Sequence, residues 1–393
     1  MSQAEPQPLA GIRVLDFSTL LPGPLCTLML AEAGAEVIKI ERPDGGDTMR
    51  SYVPRFGGEA VNFAMLNRGK RSLALDLCMP EGRARALALV RTADVVVEQF
   101  RPGVMEKLGL GYAQLRELRP DLIYCSITGY GQDGPLSRVA AHDLNFAAET
   151  GLLAQTADGD GHPQLPQALI GDIAGGAYPA TINILLALRR RDAGGGGCRL
   201  DIAMADGLFT TMYWGLGNGF AAGQWPLPGG DLVTGGTPRY QIYRTRDDRF
   251  LAVAPLEDKF WKQFLDAIGA PELFDDSRDP QGVRERVAAI IRTRDAAGWE
   301  RLFATVNVCV NRVRALDEAV RHPHFAGRDL FAYRVADEDG RSLPALPVPV
   351  AGVFRRPAQQ PVRFPKLNEA DADMDGRLTF DTRSATALSA GGN

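Results

Sequence analysis

Gly11-Ile-Arg-Val-Leu-Asp-Phe17 leads through Ser-Thr-Leu-Leu into Pro22-Gly-Pro24, and an apolar run up to Gly34 then gives way to Glu36-Val-Ile-Lys-Ile40. Arg13–Phe17 and Glu36–Ile40 have the length and apolar content of strands, while Leu25, Leu28, Met29 and Glu32 between them recur at helical spacing. Pro22–Pro24 suits a first helical turn and Gly34 suits a helix end. A strand, a helix and a strand follow one another, which is the βαβ pattern. It continues outward. Ser72–Leu77 reads as a strand, Pro80–Arg91 as an Ala/Leu/Arg helix and Asp94–Val97 as an apolar strand. The alternation runs on through Tyr112–Leu118, Leu122–Ser126, the long helix Tyr178–Leu188 and the strand Arg199–Ala203. The fold class is therefore α/β, a mostly parallel sheet flanked by helices.

Beyond residue 213 the pattern changes. Gly, Pro and aromatic residues dominate from Trp214 to Pro238, which reads as a linker. Arg239–Thr245 and Phe250–Ala254 alternate like strands around an Asp247-Asp248 turn, and helical periodicity covers Glu257–Ile268 and Val283–Val306. This is a smaller α+β domain. Pro344–Pro365 suggests an extended return, and Ser384–Asn393 a frayed end. The expected division is 1–213 as the large domain, 214–238 as linker, 239–340 as the small domain, and 341–393 as the return to the large domain plus a tail.

The 393 residues are 45% hydrophobic and 23% charged, enough for more than one core, so a largely disordered chain is excluded. A formal charge of -4 gives no basic surplus, and neither nucleic acid nor an anionic membrane is expected as a partner. Cys26, Cys78, Cys125, Cys198 and Cys309 are scattered singly, as reduced thiols in a cytoplasmic protein would be. Met1–Leu9 lacks a signal-peptide pattern, and no apolar run approaches the roughly 18 residues a membrane span requires.

Glu41 follows the second strand where a ribose-binding acid would stand, but the turn after the first strand has no G-x-G-x-x-G, so a dinucleotide site is disfavoured. Gly194–Gly197 reads as a helix-to-strand turn, with Arg189–Arg191 complementing the preceding helix dipole. No metal site is expected: His322 and His324 have no nearby partners to complete a shell, and His162 sits in a turn-rich, solvated string. His142 differs. It follows the glycine-rich Gly129-Tyr-Gly-Gln-Asp-Gly-Pro135 and adjoins Asp143 at the start of a helix-like stretch. Ile170-Gly-Asp-Ile-Ala-Gly-Gly176 then holds Asp172 between glycines at a helix start, where free N–H groups and the dipole favour an anion; alone, Asp172 also reads as a helix N-cap. No G-x-S-x-G elbow accompanies the pair, which disfavours a serine hydrolase. Arg42, Arg68, Lys70, Arg101 and Lys107, several of them just after predicted strands, would together suit a ligand with several phosphates.

Taken together, these strings resemble the family III CoA-transferase and α-methylacyl-CoA racemase superfamily. The resemblance rests on Gly11–Phe17, Val37-Ile-Lys-Ile-Glu-Arg-Pro43, Asn67-Arg-Gly-Lys-Arg-Ser72, Phe100-Arg-Pro-Gly-Val104, Gly129–Pro135, Gly171-Asp172, Asp201-Ile-Ala-Met-Ala-Asp-Gly207 and Gly235-Gly-Thr-Pro238. It implies a Rossmann-like large domain, a small domain and an interlocked homodimer. It also implies a coenzyme A thioester as substrate, a free carboxylic acid as a second partner in the transferase case, and no prosthetic group. Asp172 matches the aspartate of both branches: nucleophile in transferases, acid/base partner of a histidine in racemases. His142 stands at that histidine's position, and the four-glycine run of transferases is here only Gly235-Gly236, so the racemase branch is favoured. Asp143 and Glu257, in Pro255-Leu-Glu257, resemble the supporting carboxylates. Donors at Gly171–Gly176 are expected to stabilise an enolate oxygen. CoA transfer through Asp172 is the alternative, and a non-catalytic CoA-binding homologue the third reading. Pro365-Lys-Leu-Asn-Glu369 departs from the family's usual ending.

Overall fold

The computed structural model describes residues 7–370 apart from 159 and 359; the polar start before Gln7 and the expected frayed end, Ser384–Asn393, lie outside the described residues. Two compact units emerge. The first comprises residues 1–146, 168–208 and 329–393, the second 147–167 and 209–328.

In the first unit six strands, β1 (Arg13–Asp16), β2 (Glu36–Glu41), β3 (Arg71–Ala74), β4 (Val95–Glu98), β5 (Ile123–Thr128) and β6 (Cys198–Ala203), form one sheet ordered β3-β2-β1-β4-β5-β6. Every pairing in it is parallel. This is the strand order of a doubly wound α/β domain. β4 and β5 are buried along their whole length, as central parallel strands covered by helices on both faces must be. Among the helices are α1 (Pro22–Glu32), α2 (Pro80–Val90), α3 (Tyr112–Leu118), α4 (Asp143–Glu149, which begins in this unit) and α5 (Tyr178–Arg190). On one face Leu15, Ile38, Leu73, Val96 and Tyr124 pack with Ala86, Leu89 and Leu115 of α2 and α3. The C-terminal segment runs beside β3: Gly69 N–H donates to Arg363 O at 2.8 Å, and Ala370 N–H to Ser72 O at 2.9 Å.

The chain leaves β1 toward β2 and β3, then crosses back to β4. The loops after β1 and β4 therefore diverge, and a crevice opens at their C-terminal ends.

The second unit contains the antiparallel strands β7 (Gln241–Arg244), β8 (Phe250–Val253) and β9 (Val310–Arg312), in the order β9-β8-β7. Its core gathers Trp261, Phe264, Leu265 and Ile268, one face of the helix Asp258–Ile268, with Trp299 and Phe303. The helical periodicity expected over Val283–Val306 is two helices, Pro280–Ile291 and Ala296–Phe303. Asp295 divides them, its carboxylate capping the second helix by accepting the Gly298 N–H at 2.7 Å. Within the expected linker Tyr213–Ala222 is helical. Among the described residues no helix is long and apolar enough to cross a membrane.

Candidate active site

The crevice holds a cavity of about 410 Å³. Thr19, Leu20 and Pro22 reach it from the turn after β1, Gln99 to Pro102 from the turn after β4, and Ile127 to Tyr130 from the end of β5. His142 and Asp172 line the same cavity. Two residues thirty apart in sequence meet at one site because both enter over the C-terminal edge of the sheet.

Asp172 lies in a π-helical segment, Gly171–Ala177, that runs directly into α5. Such widened turns recur at functional sites. The segment lies flush on Met204–Leu208: a Cβ on Gly175 would fall 2.1 Å from the Met204 carbonyl oxygen, and one on Gly207 would fall 2.7 Å from the Gly175 Cα. Only glycine permits that approach, and it fixes where Asp172 emerges. Asp172 is not the N-cap. That position belongs to Ile170, and no side chain caps it. The Asp172 N–H instead donates to Asp143 Oδ1 at 2.8 Å, so one amide of the expected Gly171–Gly176 donor set is engaged within the protein.

The helix start does not hold the Asp172 carboxyl below the ordinary carboxylate range. Burial, and then the Asp143 carboxylate beside it, push the Asp172 carboxyl up to about 6, with His142 pulling in the other direction. Desolvation and a like charge outweigh the helix dipole. Asp143 itself is buried at the first position of α4. His142 immediately precedes that helix, and its carbonyl accepts the Asn145 N–H at 2.8 Å while its own N–H donates to Asn145 Oδ1 at 3.0 Å. Its backbone is pinned, and its exposed imidazole makes no hydrogen bond among the described residues.

The five expected phosphate-binding cations divide sharply. Arg101 is exposed and lines the cavity. Arg42 and Lys107 are exposed but line neither this cavity nor its neighbour. Arg68 and Lys70 are 1% and 3% exposed and serve the fold instead. Arg68 donates to Glu32 Oε1 at 2.7 Å and to the carbonyls of Met65 and Leu346; Lys70 donates to Asp16, Thr27, Asn67 and the Pro24 carbonyl. Burial lowers the Lys70 ammonium to about 8, with Asp16 opposing. Neither is available to a phosphate.

Two other arginines line a neighbouring cavity. A second cavity of about 320 Å³, sharing Pro102 and Ser137 with the first, is lined by the exposed Arg138 and Arg199. Arg199 Nη2 donates to Gln132 Oε1 at 2.9 Å, and Gln132 N–H to Asp201 Oδ2 at 3.0 Å, so the glycine-rich loop is tied to β6. Arg199 was legible as an outward position of β6, but nothing marked that strand as lying under the loop.

Glu257 belongs to the second unit, where it is exposed and its carbonyl accepts the Phe260 and Trp261 N–H groups at 2.9 Å each. Asp158, Asp160 and His162 gather on an exposed turn with ligand atoms within 4.8 Å of one another. His322 Nδ1 accepts the His324 N–H at 3.2 Å, a local loop contact.

A histidine and a desolvated carboxyl at the switch point of a doubly wound sheet, without the glycine fingerprint of a dinucleotide fold, define an acid/base or nucleophilic α/β site. The chain belongs to CoA-transferase family III, whose model matches residues 9–371. Alpha-methylacyl-CoA racemase of Mus musculus is 35% identical, over 89% of this chain and 87% of that protein. Acetyl-CoA:oxalate CoA-transferase of Acetobacter aceti is 33% identical over 93% and 94%, and succinate–glutarate CoA-transferase of Agrobacterium fabrum 34% over 96% and 98%. Among solved structures, a CAIB/BAIF family protein from Brucella suis superposes with a TM-score of 0.79 at 29% identity, covering 95% of this chain and all of that one.

Proposed function

We propose that the protein exchanges the α-proton of a 2-methylacyl-CoA thioester, acting as a racemase. The observation that carries this reading is a carboxyl poised at about 6, Asp172, in one cavity with an unengaged His142. A group that titrates near neutrality is present in both protonation states and can donate as well as accept. The thioester carbonyl acidifies C2–H. His142 takes that proton, leaving an enolate and an imidazolium, and protonated Asp172 delivers its proton to the other face of C2, becoming carboxylate. The other epimer reacts from the resulting charge state with the roles exchanged. Asp143 positions Asp172 through its amide and helps to keep the carboxyl protonated. Arg101, Arg138 and Arg199 hold the phosphates of coenzyme A, with Arg42 and Lys107 as further exposed cations.

One epimer incubated in deuterated water should yield both epimers, labelled at C2. Asp172→Asn and His142→Ala should each slow that exchange by about 10²- to 10⁴-fold. No label across a panel of branched acyl-CoAs would sink the assignment.

CoA transfer is the second reading, favoured by the Acetobacter and Agrobacterium relatives. Here the Asp172 carboxylate attacks the thioester carbon and expels CoA thiolate; the aspartyl anhydride then exchanges with an acceptor acid through an aspartyl-CoA thioester. It needs no histidine, so His142→Ala should leave most transfer intact.

The proposal includes a cytoplasmic, interlocked homodimer with Glu257 of the partner subunit supporting the site. Tyr178, Ile182, Leu185 and Leu186, all exposed on α5 at helical spacing, support burial against a second copy. An interlocked pair should sediment only as dimer at nanomolar concentration; a stable, active monomer would refute it. The five free cysteines fit a reducing compartment.

A further inference from the structure

The turn between β1 and α1 forms one wall of the cavity, and it is held by charges that the proposed chemistry leaves unused. Leu20, in that wall, has φ +62°, a backbone region that a residue bearing a Cβ normally avoids. Its N–H points at the Asp47 carboxylate, 3.2 Å from each oxygen. Asp47 is 1% exposed; its Oδ2 lies 3.0 Å from Lys39 Nζ, and its Oδ1 accepts the Met49 N–H at 3.0 Å. Lys39, fully buried, donates in turn to the Ser18 carbonyl at 2.7 Å. Asp16 Oδ1 accepts the Ser18 N–H at 2.9 Å and the Ser18 hydroxyl. Three buried ions from β1, β2 and the loop after β2 thus hold Ser18 and Leu20 by their backbone.

Stability alone gives no reason for this arrangement. Glycine would adopt the same φ without strain, and well-packed apolar residues often replace buried ions at no loss. What the clamp adds is position. Pro22, at the end of the turn, abuts the reactive segment: a Cβ on Gly176 would lie 3.1 Å from Pro22 Cβ, and Gly176 is one turn along from Asp172. The turn is at once a cavity wall and a support for the carboxyl's own helix.

We infer that Asp47, paired with Lys39, is a positioning residue that locks the Ser18–Pro22 turn, with Leu20 as a fixed wall beside the acyl group. The inference rests on the acyl-CoA reading of the cavity. Asp47→Asn keeps the shape and one acceptor but loses the charge facing Lys39 and the second oxygen facing Leu20. With the folded fraction checked by circular dichroism at the assay temperature, kcat/KM for α-proton exchange or CoA transfer should fall about 10- to 100-fold, as misplacement in a site does. Inhibition by free CoA should change less than about 2-fold, because Arg101, Arg138 and Arg199, the cations that line the cavities, lie outside the loop that carries Asp47. Amide exchange measured by mass spectrometry should quicken in the peptide spanning Ser18–Pro22. Unchanged kcat/KM, or a parallel loss of CoA affinity, would overturn the inference.

Leu20→Gly is the companion variant, since it relieves the backbone and does not depend on the ions. It should fold as well as the parent and discriminate less between short and bulky acyl chains; parental discrimination would count against a fixed wall. If the parent protein acts on no acyl-CoA, the proposed function fails, and the amide-exchange arm still decides the clamp. Faster exchange at Ser18–Pro22 in Asp47→Asn supports it, and unaltered exchange refutes it.

Discussion

Two groups of charged residues stand at the C-terminal edge of the same sheet and are treated in opposite ways. Around β1 and β2, Asp16, Lys39, Asp47 and Lys70 are all buried, and each meets an opposite charge. Burial alone would raise the Asp16 carboxyl, but Lys70 and Lys39 outweigh it and hold it far below the usual carboxylate range. Around α4 and the π-helical segment, Asp143 and Asp172 place like charges side by side, and the second is pushed up to about 6. The matched partners hold Asp16 and Lys39 charged across the neutral range. A mismatched pair is left where a proton can come and go. The difference separates charges that hold the walls of the cavity from a carboxyl within it that titrates near neutrality.

The largest effect should come from breaking the matched group. Asp16→Ala strands Lys39 and Lys70 in the interior and should cost about 3–5 kcal/mol by denaturant unfolding at pH 7. Because the folded-state pKa of Asp16 is depressed, its contribution is present above about pH 4 and fades as pH falls toward the folded value, so parent and variant should converge in acid. A difference that persists undiminished at low pH would mean lost packing, not lost charge.

The mismatched pair should respond with the opposite sign. Asp172 has a raised folded-state pKa, so the parent is stabilised relative to an ionised site below about pH 4 and loses that stability as pH climbs through about 6. Asp172→Asn should therefore raise stability by on the order of 2 kcal/mol at pH 8 and by little at pH 4, a contrast readable as a pH-dependent Tm shift. Equal shifts at both values would remove Asp143 repulsion and burial as the cause.

The smallest effect concerns an exposed cation outside both groups. Arg101→Ala should raise KM for the thioester roughly 3- to 10-fold with little change in kcat, because an interaction equal in ground and transition states alters binding alone. An unchanged KM would take Arg101 out of the coenzyme site.

Much of this was legible in the sequence. The alternation from Arg13 to Ala203 predicted the parallel sheet, and His142 and Asp172, singled out by their glycine-rich surroundings, line one cavity. The burial of Arg68 and Lys70 was not, because the partners that neutralise them, Glu32, the Leu346 carbonyl and Asp16, lie far away in sequence. In Asn67-Arg-Gly-Lys-Arg71 they look like any solvated cation. The helix Tyr213–Ala222 was hidden for a related reason. Its glycines read as looseness, yet a Cβ on Gly219 would fall 2.4 Å from the Trp225 ring and one on Gly215 2.7 Å from Pro226. They are small so that the following chain can fold back against the helix. The elevated carboxyl of Asp172 also escaped, since the dipole is visible in a local pattern while burial, and the packing that sets Asp143 beside Asp172, are not.

The flush seat of Gly175 and Gly207 against each other's backbone has a consequence for how such a protein diversifies. No side chain larger than hydrogen fits at either position without driving the two segments apart, so the seat of the segment that carries Asp172 is closed to change. Descendants that handle different acyl groups must vary the loops that project over the crevice, from the turn after β1 and the turn after β4. An engineer seeking a new substrate should mutate those loops and leave the glycine seat alone. Asp172 then stays still while the room around it is rebuilt.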